Sequence, residues 1–305
     1  MMPENIVFDF DISICIVTLN ARDYLRDSLR SIECTLAGLR AEVIVVDNHS
    51  NDGTVEMLRQ DFPWVRLIEN EKNEGFARPT NKALRLAGGR YCLLLNPDTV
   101  ILDNAIQKLV AFLNEHTEIG ICGPKALNRD GSLQKACRRG VSRPWAVLSY
   151  FTGLSMLFPH SKLFGGYLLN YMDEDEVHEV DGVSGSCMLI RREVMDQIGL
   201  LDDRYFAYQE DADYCFRAKK AGWKIFYMPE AEITHYGGLG GSRVYPYRSI
   251  YEWHRSYFLY YRKNLAREYF FLFNWLYYLA MVFKLFLSLL VNMFRTDKFA
   301  GPKRG

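Results

Sequence analysis

Residues 42–47 (EVIVVD) form a short apolar run that ends in an acid, and the turn-forming residues 48–53 (NHSNDG) follow at once. An apolar run of this kind is typical of a parallel strand that is buried on both faces of a sheet. Residues 13–19 (SICIVTL) and 91–95 (YCLLL) have the same character, and residues 24–39 carry apolar side chains at helical spacing. Strands that alternate with helices predict an α/β protein with a mostly parallel sheet and helices on both faces.

The same alternation continues toward the C-terminus. It predicts further strands at 65–69, 183–191 and 223–227, and helices at 79–87, 103–114 and 211–221. Beyond His235 the composition changes, first to glycine and then to aromatic residues, which predicts a domain boundary within residues 236–245.

Composition narrows the class of protein. The chain has 305 residues, and 49% hydrophobic against 24% charged residues excludes general disorder. Its net charge of zero argues against a protein that wraps DNA. Residues 240–305, however, contain 11 Lys and Arg against 3 Asp and Glu, so an acidic body carries a basic, aromatic tail. Such a tail favours contact with an anionic surface.

Seven scattered cysteines without a CxxC motif indicate neither a zinc site nor a disulfide framework, and they favour a reducing compartment. The N-terminal stretch MMPENIVFDFD lacks the basic and apolar regions of a signal peptide.

Polar side chains follow three of the predicted strands at the point where each strand ends. They are Asp47, the pair Thr18 and Asn20, and the pair Asn96 and Asp98. Ligands bind at the carboxyl ends of the strands in open parallel sheets. Neither a GxGxxG nor a GxxxxGK[ST] motif is present, so a bound diphosphate would need a metal ion or side-chain cations.

The Asn96-Pro97-Asp98 turn suits a hard cation, because carboxylate and amide oxygens are the ligands that Mg²⁺ or Mn²⁺ prefers. Asp98 could instead cap the helix at 103–114. His235 ends a strand-like segment and leads into glycines, so it is either a third ligand or a structural histidine.

Two acids, Glu210 and Asp211, open the helix at 211–221. They stabilise the helix dipole, or one of them accepts a proton from a substrate hydroxyl. The preceding aromatic residues Tyr205, Phe206 and Tyr208 could form a wall on which a sugar ring stacks.

Several blocks in this order resemble a family-2 inverting glycosyltransferase of the GT-A fold, whose central sheet is Rossmann-like. They cover about residues 12–240, with EDADYCFR and NPD the most specific, and are SICIVTLN, EVIVVDNHSNDGT, NEGFARPTN, LLLNPDT, SGSCMLIRREV, YFAYQEDADYCFRAKKAGW and ITHYGG. Within the family the set resembles the rhamnosyltransferase-like branch. That branch moves a deoxysugar from dTDP-rhamnose or a similar donor to a polysaccharide or lipid-linked acceptor, and the implied role is in cell-envelope glycan assembly.

The resemblance implies roles for individual residues. Asp47 would contact the nucleobase beside Thr18 and Asn20, and Asp52 and Arg78 would line the pocket for the nucleotide diphosphate. Asn96 and Asp98 occupy the position of the family's DxD motif, with Asn96 in place of the first acid.

Asp98 would hold Mg²⁺ or Mn²⁺ together with His235. Asp211 would be the general base for transfer, with Glu210 beside it.

Together with the change of composition after His235, the resemblance implies a division of the chain. Residues 1–125 would bind the nucleotide sugar, residues 126–240 would bind the acceptor and carry the catalytic residues, and residues 241–305 would form a C-terminal helical extension.

The tail raises a separate question, because 22 of the 26 residues from 269 to 294 are apolar. On a helix, Asn274, Lys284, Ser288, Asn292 and Arg295 share one narrow polar stripe. This pattern favours a helix that lies in the membrane interface. A contact with a second copy of the chain and a true membrane span remain alternatives. An interfacial helix predicts a peripheral protein on the cytoplasmic face of the membrane, within reach of a lipid-diphosphate-linked acceptor.

Three other functions compete with the rhamnosyltransferase. The first is a transferase of the same family that uses UDP-galactofuranose, UDP-glucose or UDP-GlcNAc. The second is a nucleotidyltransferase, which would want a glycine-rich basic loop where Asn20, Ala21, Arg22 and Asp23 stand. The third is a catalytically dead sugar-binding scaffold, of which Asn96 would be the first sign.

Overall fold

The computed structural model describes residues 8–36, 38–237 and 246–294. The boundary expected within 236–245 lies largely outside these residues, as do Arg295 and most of the N-terminal stretch. The strands, in chain order, are β1 (Phe10–Thr18), β2 (Ala41–Asp47), β3 (Arg66–Glu69), β4 (Gly89–Leu95), β5 (Thr99–Ile101), β6 (Ile119–Leu127), β7 (Arg138–Arg139), β8 (His178–Glu179), β9 (Gly182–Val183), β10 (Cys187–Arg191) and β11 (Lys224–His235).

Helices connect most of these strands. They are α1 (Arg22–Thr35), α2 (Thr54–Asp61), α3 (Ala77–Leu86), α4 (Ala105–Glu115), α5 (Pro144–Phe151), α6 (Leu154–Leu157), α7 (Arg192–Ile198), α8 (Glu210–Lys220), α9 (Pro246–Tyr260) and α10 (Phe271–Met293), with a 3₁₀ turn at Lys135–Cys137, a π-helical turn at Tyr261–Leu265 and a 3₁₀ turn at Ala266–Glu268.

One large sheet organises the molecule. Its strand order is β3-β2-β1-β4-β10-β6-β11-β5, and β8 pairs with β11 as a ninth strand. Six strands (β1, β2, β3, β4, β6 and β11) run in one direction and β5, β8 and β10 run in the other. The prediction of a mostly parallel sheet is therefore confirmed.

The core lies on both faces of this sheet. Consecutive residues of β1 and β2 are buried, although alternate side chains point to opposite faces. Helices must therefore cover both faces, as the unbroken apolar runs predict.

Two differences from the sequence-based elements concern the centre of the sheet. The strand predicted at 183–191 is interrupted, because Ser184, Gly185 and Ser186 leave the ladder between β9 and β10. The strand β6 was not predicted. Its Gly123-Pro124 pair interrupts an apolar run, yet β6 lies in the sheet between β10 and β11.

The C-terminal extension is helical, as predicted, and it packs on the sheet domain through polar contacts. Asp213 of α8 is fully buried and accepts hydrogen bonds from Lys263 Nζ (2.8 Å) and Asn264 Nδ2 (2.8 Å) in the π-helical turn. These bonds join the extension to the first turn of α8.

Candidate active site

The carboxyl ends of β1 and β2 form the first part of the site. Thr18 lies opposite Asp47 in the parallel ladder. Asp47 Oδ2 accepts hydrogen bonds from the backbone N–H groups of His49 (3.1 Å) and Ser50 (2.9 Å). Asp47 Oδ1 and Thr18 Oγ1 are buried without a hydrogen-bond partner among the described residues. Because unpaired buried polar atoms are costly, this pair is suited to a polar ligand.

The turns after these strands hold the next two predicted residues. Asn20 has a left-handed backbone (φ 50°), and its Oδ1 accepts a bond from Asn51 N (2.8 Å). Asp52 caps the start of two helices, because its carboxylate accepts bonds from Arg22 N (2.9 Å) and Thr54 N (3.1 Å). Both side chains therefore order the loop beside Asp47.

Arg78 lies in the first turn of α3, where its side chain is exposed and forms no ion pair with another described residue. The loop before α3 is held close to the loop before α8. A Cβ atom on Gly75 (φ +88°) would lie 2.1 Å from the carbonyl oxygen of Phe206, so only glycine fits there.

The next cluster contains Asn96, Asp98 and His235. Asn96 and Asp98 follow β4, whereas His235 ends β11. The short strand β5 pairs antiparallel with the end of β11, with Thr99 opposite His235, and this pairing brings Asp98 to the histidine. His235 Nε2 lies 3.2 Å from Asp98 Oδ1 and 3.1 Å from Asn96 Nδ2.

A hydrogen bond on the far side of the ring orients His235. Its Nδ1 lies 2.7 Å from Oε1 of Gln134, and an amide oxygen can only accept. A neutral ring would therefore carry its proton on Nδ1 and present the lone pair of Nε2 toward Asp98.

This arrangement fits a divalent ion. A histidine that ligates a metal donates its other ring N–H to a partner of this kind. Neighbouring ligands of an octahedral ion with bonds of about 2.1 Å lie about 3 Å apart, close to the separation of Asp98 Oδ1 and His235 Nε2. Among the described residues no group of three or more His, Cys, Asp or Glu surrounds one point. The remaining ligands of such an ion would therefore not be His, Cys, Asp or Glu of the described residues.

The pair of acids at the start of α8 is the third part of the site. Asp211 Oδ2 accepts hydrogen bonds from Gly185 N (2.9 Å) and from the guanidinium of Arg139. The neighbouring Ser186 carbonyl accepts a bond from Asn96 N (2.9 Å). The interruption between β9 and β10 thus joins the Asn96 turn directly to Asp211.

Glu210 lies beside Asp211 in a different environment. Burial raises the pKa of the Glu210 carboxyl from 4.5 to about 8, and the negative charge of Asp211 contributes to the rise. Its Oε2 is buried without a partner among the described residues. Glu210 is therefore mostly protonated at neutral pH, whereas Asp211 is paired with a cation.

The prediction of an aromatic wall before α8 is wrong for Tyr205. Tyr205 is fully buried, and its hydroxyl donates to Asp213 (3.3 Å), so it cannot stack on a sugar. Phe206 and Tyr208 remain partly exposed.

Comparison with known proteins decides the family. The sequence profile of glycosyl transferase family 2 matches residues 13–199, more than half of the chain. The chain belongs to glycosyl transferase family 2. The resemblance inferred from the motifs is thereby confirmed.

Two curated members of the family illustrate the relationship. An N-acetylglucosaminyl-diphospho-decaprenol L-rhamnosyltransferase of Mycobacterium tuberculosis is 31% identical over 209 residues, which are 64% of this chain and 66% of the relative. The aligned region thus spans just under two thirds of that relative's length. A low-salt glycan biosynthesis hexosyltransferase, Agl10 of Haloferax volcanii, is 26% identical over 253 residues, 82% of this chain and 75% of the relative.

A solved structure shows the same fold. The mannosyltransferase PcManGT of Pyrobaculum calidifontis, in complex with GDP-Man and Mn²⁺, superposes with a TM-score of 0.56 at 17% identity and covers 86% of this chain and 68% of its own. With the family established, the GT-A fold with its C-terminal helical extension is confirmed.

Sequence patterns did not reveal two polar residues of this candidate site, Arg139 and Gln134. Arg139 reaches Asp211 across 72 positions and Gln134 reaches His235 across 101, so neither contact has a local signal. The adjacent pair Arg138-Arg139 was the only hint, since two arginines in a short buried strand need acceptors.

Proposed function

We propose that the protein is an inverting glycosyltransferase that moves a sugar from a nucleotide diphosphate to a saccharide hydroxyl in the assembly of a cell-envelope glycan. The proposed donor is dTDP-rhamnose, on the basis of the similarity to the mycobacterial L-rhamnosyltransferase. One observation carries the proposal. The unpaired atoms of Thr18 and Asp47, the Asp98–His235 pair and the paired Asp211 all lie along one edge of the sheet.

The donor would bind along this edge. Asp47 and Thr18 end neighbouring strands and present unpaired buried oxygens, which an N–H group of a pyrimidine base would satisfy. Asn20 and Asp52 would support that loop, and Arg78 would reach the diphosphate. Asn96 follows β4, two strands from Asp47 and thus about 10 Å away.

Asp98 and His235 would hold Mg²⁺ or Mn²⁺, which would neutralise the charge of the diphosphate leaving group. The family's first acid is Asn96 here, and its amide contributes no charge to the ion. The Asn96 amide instead lies within hydrogen-bond distance of His235 Nε2.

Asp211 would act as the general base. As the acceptor oxygen attacks the anomeric carbon from the face opposite the diphosphate, the acceptor's proton moves to the Asp211 carboxylate. Arg139 and Gly185 N hold that carboxylate in place. Glu210, protonated beside it, adds no second negative charge to the pocket at neutral pH.

The acceptor would be a saccharide or a lipid-diphosphate-linked saccharide. We therefore place the protein on the cytoplasmic face of a membrane, with residues 1–125 binding the donor, 126–240 the acceptor and 241–305 the membrane. The orientation of α10 supports this placement. Its polar residues Asn274 and Lys284 contact α9 or the turns that follow it, whereas Leu279 and Phe283 are each more than 60% exposed.

Among the described residues, α10 is the one helix that by length and composition could cross a membrane. Its mean hydropathy is 1.8, and 11% of its apolar stretch is buried. A helix at a water-facing surface normally turns its polar side outward, so the reversed orientation favours an apolar environment around α10.

A donor-hydrolysis screen tests the proposal. Wild-type protein is incubated with dTDP-rhamnose, UDP-galactofuranose, UDP-glucose or UDP-GlcNAc, with Mn²⁺, with Mg²⁺ or with chelator. Release of nucleoside diphosphate from dTDP-rhamnose, lost with chelator, is the expected result. Release from another donor would correct the sugar.

Calorimetric titration of each nucleotide diphosphate accompanies the screen. Absence of both hydrolysis and nucleotide binding would overturn the proposal in favour of a scaffold.

A further inference from the structure

A basic groove lies between the C-terminal extension and the loop before α8, away from the residues assigned above. Its volume is about 340 Å³, and it is lined by Arg204, Leu259, Arg262, Lys263 and Arg267. Four of these five residues are cationic, and the groove is open to solvent. Its size is within the range of small-molecule sites in proteins.

The cations of the groove are not all neutralised. Lys263 Nζ bonds to Asp202 (2.7 Å) and Asp213 (2.8 Å), and Arg204 bonds to Asp202 (2.6 Å). Arg262 and Arg267 form no ion pair with any described residue. The four cations thus face two carboxylates, which leaves a surplus of two positive charges at the groove.

The acid next to Arg267 in the chain does not cancel this surplus. Glu268 follows Arg267 in the chain, but its carboxylate is paired with Arg143 of another loop. The exposed guanidinium groups of Arg262 and Arg267 are therefore available to an anion. Arginine is the side chain best suited to phosphate oxygens, because its planar fork can donate two parallel hydrogen bonds.

The position of the groove identifies the kind of anion. Arg267 lies four residues before the start of α10. Phe270, which precedes the helix, and Phe271, which begins it, have side chains that are 63% and 72% exposed. A cationic groove at the end of an exposed apolar helix matches the layering of a membrane surface, where phosphate groups border the hydrocarbon.

We propose that this groove binds the phosphate or diphosphate headgroup of a membrane lipid. The proposal rests on the membrane association proposed above, and it adds a defined headgroup site to the apolar contact of α10. The site is also joined to the catalytic domain. Lys263, which lines the groove, is bonded to Asp213 in the same helical turn that carries Asp211.

Vesicle binding of the full chain tests the proposal without donor or turnover. The vesicles are phosphatidylcholine alone, phosphatidylcholine with phosphatidylglycerol, and phosphatidylcholine with a polyprenyl diphosphate at the same total lipid charge. The test variant is Arg262→Gln/Arg267→Gln. Both side chains are exposed and unpaired, so the fold should persist, which circular dichroism and thermal melting would check.

The matched control is Arg85→Gln/Lys220→Gln. It removes two positive charges from exposed positions of α3 and α8, away from the groove. In the test variant we expect the partition coefficient on anionic vesicles to fall about 30-fold at low salt, and to change little on phosphatidylcholine alone. The control should change less than threefold on all three vesicles.

The two anionic vesicles distinguish the source of the phosphate. A loss confined to polyprenyl diphosphate would assign the groove to the acceptor's diphosphate, and an equal loss on both would assign it to bulk anionic lipid. Unchanged binding of the test variant, or an equal loss in the control, would overturn the proposal. Neither result would affect the transferase assignment, because donor hydrolysis is measured separately.

Discussion

The imidazole of His235 donates its Nδ1 proton to the side-chain oxygen of Gln134, at 2.7 Å, and the same ring presents Nε2 to Asp98 at 3.2 Å. Gln134 is buried and lies on the segment that follows β6. One amide oxygen thus fixes which nitrogen of His235 can bind a cation.

Gln134→Leu should therefore weaken the metal-dependent binding of a nucleotide, although the proposed metal ligands Asp98 and His235 are unchanged. Loss of the oxygen removes the group that orients the ring, and outer-shell partners of this kind are typically worth 10–100-fold in metal affinity. Calorimetric titration of Mn²⁺ with dTDP or UDP is the measurement. Gln134→Glu, which keeps the acceptor, is the control and should retain binding. Equal affinity of Gln134→Leu and wild type would contradict the role given to Gln134.

The buried pair of Arg139 and Asp211 gives a prediction about stability. Side-chain exposure of the two residues is 14% and 12%. Arg139→Met leaves the Asp211 charge without its partner, and we expect the free energy of unfolding to fall by about 3–5 kcal/mol. Asp211→Asn should nearly abolish transfer while nucleotide binding survives.

A double-mutant cycle measures how strongly Arg139 and Asp211 stabilise each other. Because Arg139→Met/Asp211→Asn contains no buried unpaired charge at this site, its stability loss should be smaller than the sum of the two single losses by about 1–3 kcal/mol. Urea denaturation of all four proteins measures the coupling. Additive losses would show that the two side chains do not stabilise each other.

Glu210 predicts a dependence of stability on pH. Its pKa is about 8 in the folded protein and 4.5 as an isolated group. Between these values the unfolded chain has lost the proton that the folded chain keeps, so stability falls as pH rises, by about 1.4 kcal/mol per pH unit from this group. The loss is complete above about pH 8.

Glu210→Gln removes this titration. As pH rises from 5.5 to 7.5, the stability of the variant relative to wild type should increase by about 2.5 kcal/mol, measured by urea denaturation in matched buffers. Groups that do not interact with Glu210 titrate alike in both proteins, so the difference reports Glu210 together with the neighbouring charge of Asp211. A difference that stays constant with pH would contradict the raised pKa.

Local patterns predicted most of the sheet, because buried parallel strands and their connecting helices each leave a signal within a few residues. The structure bears out the strands that end at Thr18, Asp47 and Leu95. It also places Asp98 and His235 together, although the residues lie 137 positions apart in the sequence. This proximity was expected from the family's motifs, whereas periodicity carries no information about residues so far apart in the sequence.

The missed features share one cause, which is dependence on distant contacts. The strand β6 contains Gly123 and Pro124, and only its pairing with β10 and β11 makes it a strand. In the sequence, residues 184–186 look continuous with the strand that follows them. In the structure, Gly185 N donates a hydrogen bond to Asp211 instead of pairing in the sheet. The polar stripe of α10 was predicted correctly. That the stripe faces α9 was not predicted, because it depends on distant partners such as His254.

The exposed face of α10 supplies the last prediction. Leu279 and Phe283 lie one turn apart and are 62% and 61% exposed, whereas Lys284 Nζ is held against the rings of Phe151 (4.1 Å) and Trp253 (4.2 Å). The charged group is therefore turned inward and the apolar groups outward. Leu279→Glu/Phe283→Glu should lower partition into phosphatidylcholine vesicles more than 100-fold, because each apolar side chain buried in the interface contributes about 1.5–3 kcal/mol.

The matched control is Trp64→Glu/Leu86→Glu, two exposed apolar residues of the sheet domain at 42% and 41% exposure, which should leave partition nearly unchanged apart from the added charge. Size-exclusion chromatography of the same proteins addresses the alternative contact with a second copy. If wild type is a dimer that Leu279→Glu/Phe283→Glu dissociates, and vesicle binding is absent from wild type, then α10 serves assembly and the membrane placement is wrong. A monomer whose vesicle binding disappears with the substitution supports the membrane, because the face that was changed has no other partner in that case.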